Sequence, residues 1–303
     1  MTRLQIGLLY RQTDAAMPLL DLAHAAEERH FDCIVIGEHT HIPVSRETPF
    51  PGTADGSLPD AYPEFPDPYV ALAFIAARTS LGIAVGIALV AQHDPIALAK
   101  TVATLDAMSG GRLTLGVGFG WNREELASHG KIFTDRRAIA REHVELMRAL
   151  WTQTEAEYHG EHVNLERSWA WPKPAQPSVP VLLGVQGGER AFEAILAWGD
   201  GWLPGGSDGR WLSAKLAELR SRWADAGRPE RGPIVWPMEN RVLGNDVLRA
   251  QLDLFRDLAV DQVVLDVPTA GRDEILPLLD RYSKVIANGG AAGRPSGAQA
   301  DAG

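Results

Sequence analysis

Glu38 and His39 stand side by side just past the short apolar run Cys33-Ile34-Val35-Ile36, and that pairing is the chain's first offer of chemistry. An imidazole titrates near neutral pH, so a histidine beside a carboxylate at a strand end suits general acid–base work. The alternative is a histidine that only closes a loop hydrogen bond. The spacing His39-x-His41 also fits a metal pair, but such a shell needs further imidazoles from later strands. All nine histidines lie at or before His162, which argues against a metal hydrolase, and no metal ligand is assigned.

A second offer comes from Gly116, Gly118 and Gly120, which alternate along the end of another apolar run and are followed by Trp121. A dinucleotide fingerprint needs glycines at its first, third and sixth positions. Counted from Gly116, the sixth position is Trp121, and an indole cannot stand where a missing side chain is the requirement. Trp121 is instead placed for a flat ligand to pack against it. Gly187-Gly188 and Gly205-Gly206 follow two later runs and precede helical patterns. Backbone N–H groups and helix N-termini at such turns favour an anion. With glycines and few basic side chains, these loops predict a phosphate-bearing ligand held mainly by backbone N–H groups.

Such residues need a frame that brings strand ends together. Short apolar runs at Leu4–Tyr10, Cys33–Gly37, Leu81–Val90, Leu113–Gly118, Val181–Val185, Gly201–Leu203, Ile234–Pro237 and Gln262–Val267 alternate with longer helical patterns. Ala15–Arg29 carries Leu19, Leu22, Ala23 and Ala26 at helical spacing, and Pro68–Ala77 and Pro95–Met108 each begin with an Asp-Pro start signal. Eight strand–helix units predict an α/β fold, a (β/α)8 barrel whose active site gathers at the strand C-termini. Two insertions interrupt the repeat. His39–Pro66, after the second strand, is proline-rich and over-long, and is expected to lie over the catalytic face. Thr152–Pro180, after the fourth, contains a hairpin around Tyr158–His162. Residues 1–288 read as one domain, and 289–303 as a polar tail too poor in apolar groups to order.

The bulk properties narrow the partners. The 303 residues are 45% hydrophobic and 22% charged, with a net charge of −10 and no basic block. That balance argues against nucleic acid or an anionic membrane. Cys33 is the single cysteine, which excludes an intrachain disulfide and reads as a buried, inert thiol. The N-terminal apolar run is too short for a signal peptide and no run reaches membrane-spanning length, so a cytoplasmic protein is expected.

Several segments together resemble the bacterial-luciferase-like superfamily of flavin and deazaflavin oxidoreductases. They are Ala26–Asp32, Gly37-Glu38-His39, Gln92–Lys100, Ala103–Asp106 with Ser109–Arg112, Leu115–Glu125 and Ala197–Pro204. Among its branches the chain is most similar to the one using the 8-hydroxy-5-deazaflavin coenzyme F420, with FMN as the alternative. The resemblance implies that His39 lies near the reactive carbon of the ring, with Glu38 beside it. It implies coenzyme contacts at Val90, Ala91, Gly120, Trp121 and Asn122, phosphate contacts at Gly187, Gly188, Gly205 and Gly206, and a non-proline cis peptide within Ile87–Ala91. It also implies a homodimer acting on a small molecule. The activity implied is hydride transfer between reduced coenzyme and a small organic substrate. The other readings are an FMNH2-dependent monooxygenase and a non-catalytic flavin-binding barrel. Two departures stand out: Glu38 replaces the usual aspartate, and Trp121 stands where related sugar-phosphate dehydrogenases carry a catalytic glutamate. Glu124 and Glu125 are the candidates to replace that glutamate.

Overall fold

The computed structural model describes residues 3–206 and 208–289. Its first half alternates β1 (Gln5–Tyr10), α1 (Leu19–Glu28), β2 (Cys33–Ile36), α2 (Pro68–Arg78), β3 (Gly82–Ala88), α3 (Pro95–Ser109) and β4 (Leu113–Val117). Then come α4 (Arg123–Ser128), α5 (Arg136–Thr152) and an antiparallel hairpin, β5 (Ala156–His159) with β6 (Asn164–Ser168). The repeat resumes with β7 (Val181–Leu183), α6 (Glu189–Trp198), β8 (Gly201–Trp202), α7 (Gly209–Asp225), β9 (Ile234–Val235), α8 (Asn245–Asp257), β10 (Gln262–Val267) and α9 (Arg272–Gly289). All eight expected strands are present, and the hairpin falls inside the second insertion. The tail expected from 289 onward lies, beyond Gly289 itself, outside the described residues.

The eight repeat strands form one parallel sheet in the order β10-β1-β2-β3-β4-β7-β8-β9. Its edges meet just past β9, where Met238 bridges to Val264 of β10. The Glu239 N–H donates to the Val264 carbonyl and the Val264 N–H to the Pro237 carbonyl, both at 2.8 Å. The result is the (β/α)8 barrel that the alternation predicts.

Strand periodicity divides the core in two. Leu9, Val35, Ala84, Leu182 and Val264 face inward and fill the barrel with Cys33, Leu203 and Trp236. Their neighbours Leu8, Ile34, Ile83 and Val263 face outward and pack under the helices. Burial pushes the Cys33 thiol up to about 12, so it stays protonated and unreactive in the barrel.

Helix boundaries follow the local signals. The Asp67 and Asp94 carboxylates cap α2 and α3, accepting from the N–H of Val70 and Ala97 at 2.8 Å. α1 starts later than its periodicity suggests because Pro18 disfavours helical backbone in the residue before it. β3 ends earlier, at a register shift between Val85 and Ala88, and the chain turns into a 3-10 segment at Val90–Gln92. The stretch Ser109–Arg112 is structural: Gly110 ends α3 at φ 70°, and the Arg112 guanidinium donates to the carbonyls of Ala76, Thr79 and Leu81.

Candidate active site

A cavity of about 1040 Å³ opens at the strand C-termini. Arg11 follows β1, Glu38 and His39 follow β2, Ile87 ends β3, Trp121 follows β4, Gly184 follows β7 and Met238 follows β9; all line it. The first insertion adds Phe50, Tyr62 and Phe65, so it lies over the catalytic face.

His39 is held from behind. Its Nδ1 lies 2.8 Å from Oε2 of Glu125, a carboxyl group only 1% exposed. A carboxylate accepts, so Nδ1–H is the donor and Nε2 carries the lone pair or the exchangeable proton. Nε2 has no hydrogen-bond partner among the described residues. The ring sits against Tyr62 (5.4 Å between centroids), Phe65 and Trp121 (6.0 Å each). The geometry is that of an acid–base histidine with an orienting carboxylate.

Glu38 has a different role from the one its position suggests. One oxygen accepts from the Leu89 N–H at 2.6 Å and the other from Nε2–H of His93 at 2.7 Å. Burial alone would lower His93, but the hydrogen bond to Glu38 and its charge outweigh it, and the imidazole is pushed up. Glu38 thus braces the end of β3 rather than offering a free base.

Helix α4 positions two carboxylates on two partners. Asn122 caps it, accepting from the N–H groups of Glu124 and Glu125 at 3.2 Å. Glu125 turns to His39. Glu124 turns to the first insertion, accepting from the Thr48 hydroxyl at 2.7 Å and the N–H groups of Glu47 and Thr48 at 3.2 Å. The Thr48 hydroxyl holds this carboxyl down at about 2. Neither Glu124 nor Glu125 is among the residues that line the cavity.

The alternating glycines make room for one side chain. A Cβ on Gly118 would lie 2.1 Å from Cδ1 of Ile87, and one on Gly184 would lie 2.5 Å from its Cγ2. On Gly116 it would meet the Val85 carbonyl at 2.7 Å. Ile87 therefore tops the barrel interior as an apolar floor. The non-proline cis bond joins Gly86 to Ile87, at the upstream edge of the expected range.

The cationic groups at the cavity come from an unexpected quarter. Arg136 and Arg137 begin α5, and they line the cavity with Arg190 of α6. Burial, and then the charges of Arg137 and Arg123, push the Arg136 guanidinium down, and its Nε is buried without a partner. Among the described residues no carboxylate pairs with any of these arginines. Arg136 lies over the Phe133 ring at 3.6 Å and its Nη1 donates to the Phe133 carbonyl at 2.7 Å, while Arg137 lies over the Phe119 ring at 4.5 Å.

Of the sequence-derived site residues, His39, Glu38, Gly120, Trp121 and Gly188 meet at this cavity. The others do not. Val90 and Ala91 are buried in the 3-10 segment under α5, where His143 Nδ1–H donates to the Val90 carbonyl at 2.9 Å. Asn122 is spent on the α4 cap. Gly187 backs onto Trp202 and Trp211, while Gly205 and Gly206 sit by Asn240, with Gly206 at the edge of a separate hollow. Of the four glycines expected at a phosphate, Gly188 is the one that lines this cavity. Sequence reasoning missed Glu125's partnership, Arg136, Arg137 and the insertion's aromatic residues. The pattern Asn122-x-x-Glu125 was a readable helix start. His41 faces Thr40 and His129, and among the described residues no three His, Cys, Asp or Glu side chains converge as a metal site.

The comparisons with known proteins agree with this architecture. A model of the luciferase-like monooxygenase family matches residues 2–259. An uncharacterized protein of Mycobacterium tuberculosis is 40% identical over 283 residues, covering 93% of this chain and 98% of its own. The F420-dependent glucose-6-phosphate dehydrogenase of Kineococcus radiotolerans is 31% identical over 224 residues, 70% of this chain and 60% of its own. Among solved structures, the monooxygenase RslO1 from Streptomyces bottropensis superposes with a TM-score of 0.77 at 19% identity, covering 95% of this chain and 100% of its own. Barrel, strand-end cavity and sequence match converge: the chain belongs to the luciferase-like monooxygenase family, whose members are flavin- or F420-dependent oxidoreductases.

Proposed function

We propose that the protein is a deazaflavin-dependent oxidoreductase that moves a hydride between coenzyme F420 and a small organic substrate. One observation carries the reading. A single cavity, lined also by Glu189, joins a histidine oriented by a buried carboxylate to Arg136, Arg137 and Arg190, which pair with no carboxylate among the described residues.

The residues present fit an anionic coenzyme. The orphaned Nε of Arg136 and the charges of Arg137 and Arg190 call for phosphate or carboxylate oxygens. Ile87 offers a flat apolar floor for a ring, and Trp121 an edge beside His39. The bound coenzyme supplies the carbon that gives or accepts the hydride. The protein does the rest. Glu125 fixes the His39 tautomer and leaves Nε2 to hold or take the accompanying proton. The insertion covers the cavity and reduces water's access to the reacting centre. The cluster of several arginines favours the longer, more highly charged tail of the deazaflavin over the single phosphate of FMN.

Titration of the protein with each coenzyme, followed by tryptophan fluorescence, tests this assignment. Quenching by the deazaflavin, with His39→Ala leaving that affinity intact while lowering turnover 10²–10⁴-fold, is the expected result. Tight FMN binding without deazaflavin binding would overturn it, and oxygen consumption with reduced FMN would establish the monooxygenase instead.

A further inference from the structure

The first limb of the insertion is tied to both ends of α4. Near the start of the helix, Glu124 accepts from the N–H groups of Glu47 and Thr48 and from the Thr48 hydroxyl. At its far end His129, the residue that closes α4, meets Thr40 and His41. The Thr40 hydroxyl oxygen lies 2.7 Å from Nε2 of His129 and 3.0 Å from Nδ1 of His41. The two rings stand 5.6 Å apart, centroid to centroid.

A hydroxyl carries one hydrogen. It donates to one of the two ring nitrogens and accepts from the N–H of the other. The contact is therefore complete only while one of those nitrogens keeps a bare lone pair, whichever ring supplies it. A proton on that nitrogen aims two N–H groups at one oxygen and leaves the hydroxyl hydrogen without an acceptor. Once both rings are charged, they also repel across 5.6 Å. Burial above all holds the His129 imidazole below its ordinary value of 6.5, and charge on His41 adds to it. Charge on His93, before α3, acts the same way; Glu125 of α4 and Glu38, after β2, oppose without prevailing. Glu124 stays ionised wherever imidazoles titrate, so the tie at Thr48 does not change with them.

We propose that the Thr40–His41–His129 contact is a pH-sensitive latch that holds the insertion's first limb against α4 near neutrality and releases it on acidification. His129 is lowered in the latched chain. The latch is therefore whole above 6.5 and is lost as the pH falls through the lowered value. The same insertion contributes Phe50, Tyr62 and Phe65 to the cavity, so release loosens the cavity's cover. No coenzyme or substrate takes part, and the latch stands apart from the hydride-transfer reading.

Hydrogen–deuterium exchange of the full chain, read by mass spectrometry from about pH 7.5 to 5 and corrected for intrinsic rates, tests the latch. Peptides spanning 40–50 report it, because the N–H groups of Thr40, Glu47 and Thr48 donate to α4 carboxylates. Their protection should fall about two- to fivefold more across that range in the natural chain than in His129→Gln. The glutamine is neutral throughout, and its carbonyl can still accept from the Thr40 hydroxyl; His39 and Glu125 are present in both proteins. Thr40→Val removes the hydroxyl at an exposed position and should show the low protection already at neutral pH, which carries the test if the glutamine variant folds poorly. Peptides of the β5–β6 hairpin should exchange alike in all three. Equal pH profiles for the natural chain and His129→Gln, or full neutral-pH protection in Thr40→Val, would overturn the proposal.

Discussion

His39 has one ring nitrogen committed to Glu125 and the other available at the cavity, which gives the carboxylate a job distinct from catalysis. Glu125→Gln keeps the shape, but its amide can donate to Nδ1 and stabilise the opposite tautomer. We expect turnover to fall on the order of 10²–10⁴-fold, as for a lost orienting carboxylate, with KM and coenzyme affinity little changed. An equal loss of coenzyme affinity would make Glu125 a structural residue. At this scale the sequence was half legible. Glu38, His39 and Trp121 announce themselves because a strand end is a local feature. The partners do not: Glu125 lies 86 positions from His39, and the adjacent pair Arg136-Arg137 gains meaning only where the fold brings it to the cavity. Glu38 looked catalytic by adjacency, yet its oxygens are claimed by Leu89 and His93.

Among the elements, the ends of β4 and β7 are built around Ile87. Gly118→Ala would place a Cβ 2.1 Å from Ile87 Cδ1 and 3.1 Å from its Cγ1, with Gly116 and Gly184 packed on the same residue, so Ile87 would have to turn out into the cavity it lines. Overpacking of this kind costs about 1–3 kcal/mol. Urea unfolding should show that loss for Gly118→Ala, and Ile87→Ala introduced with it should recover much of it. Strict additivity of the two changes would refute the packing account. Gly116 and Gly118 thus make room for apolar and backbone neighbours, in keeping with Trp121's argument against a dinucleotide fingerprint. All eight strands were legible from apolar runs and most helices from periodicity or caps. Helix α4 shows no period, since its six residues are under two turns, and only the Asn122-x-x-Glu125 start signal marks it. Strand β3 ends at Ala88 rather than at the expected Val90 because its apolar run continues through the bulge into the 3-10 segment.

For the molecule as a whole, the Glu38–His93 pair ties stability to pH. His93 is raised above its ordinary value of 6.5 in the folded chain. Its contribution is therefore complete below that pH and is lost as the pH climbs through the raised value. Unfolding free energy measured from pH 6 to 9 should decline more steeply in the natural chain than in His93→Gln; identical slopes would show that the pair contributes nothing. Barrel closure itself was predictable from the count of units, but not its seam, since Met238 joins β9 to β10 through a single bridge. Helix α4 has a consequence for how such a barrel can change over generations. Its neighbouring glutamates anchor the insertion at Thr48 and the imidazole at His39. Loop exchange between relatives that carried over residues 39–66 alone would separate the new loop from its anchor at Glu124 and His39 from its partner Glu125. Insertion and α4 are thus coupled through these two contacts, and an exchange that moves them together keeps both.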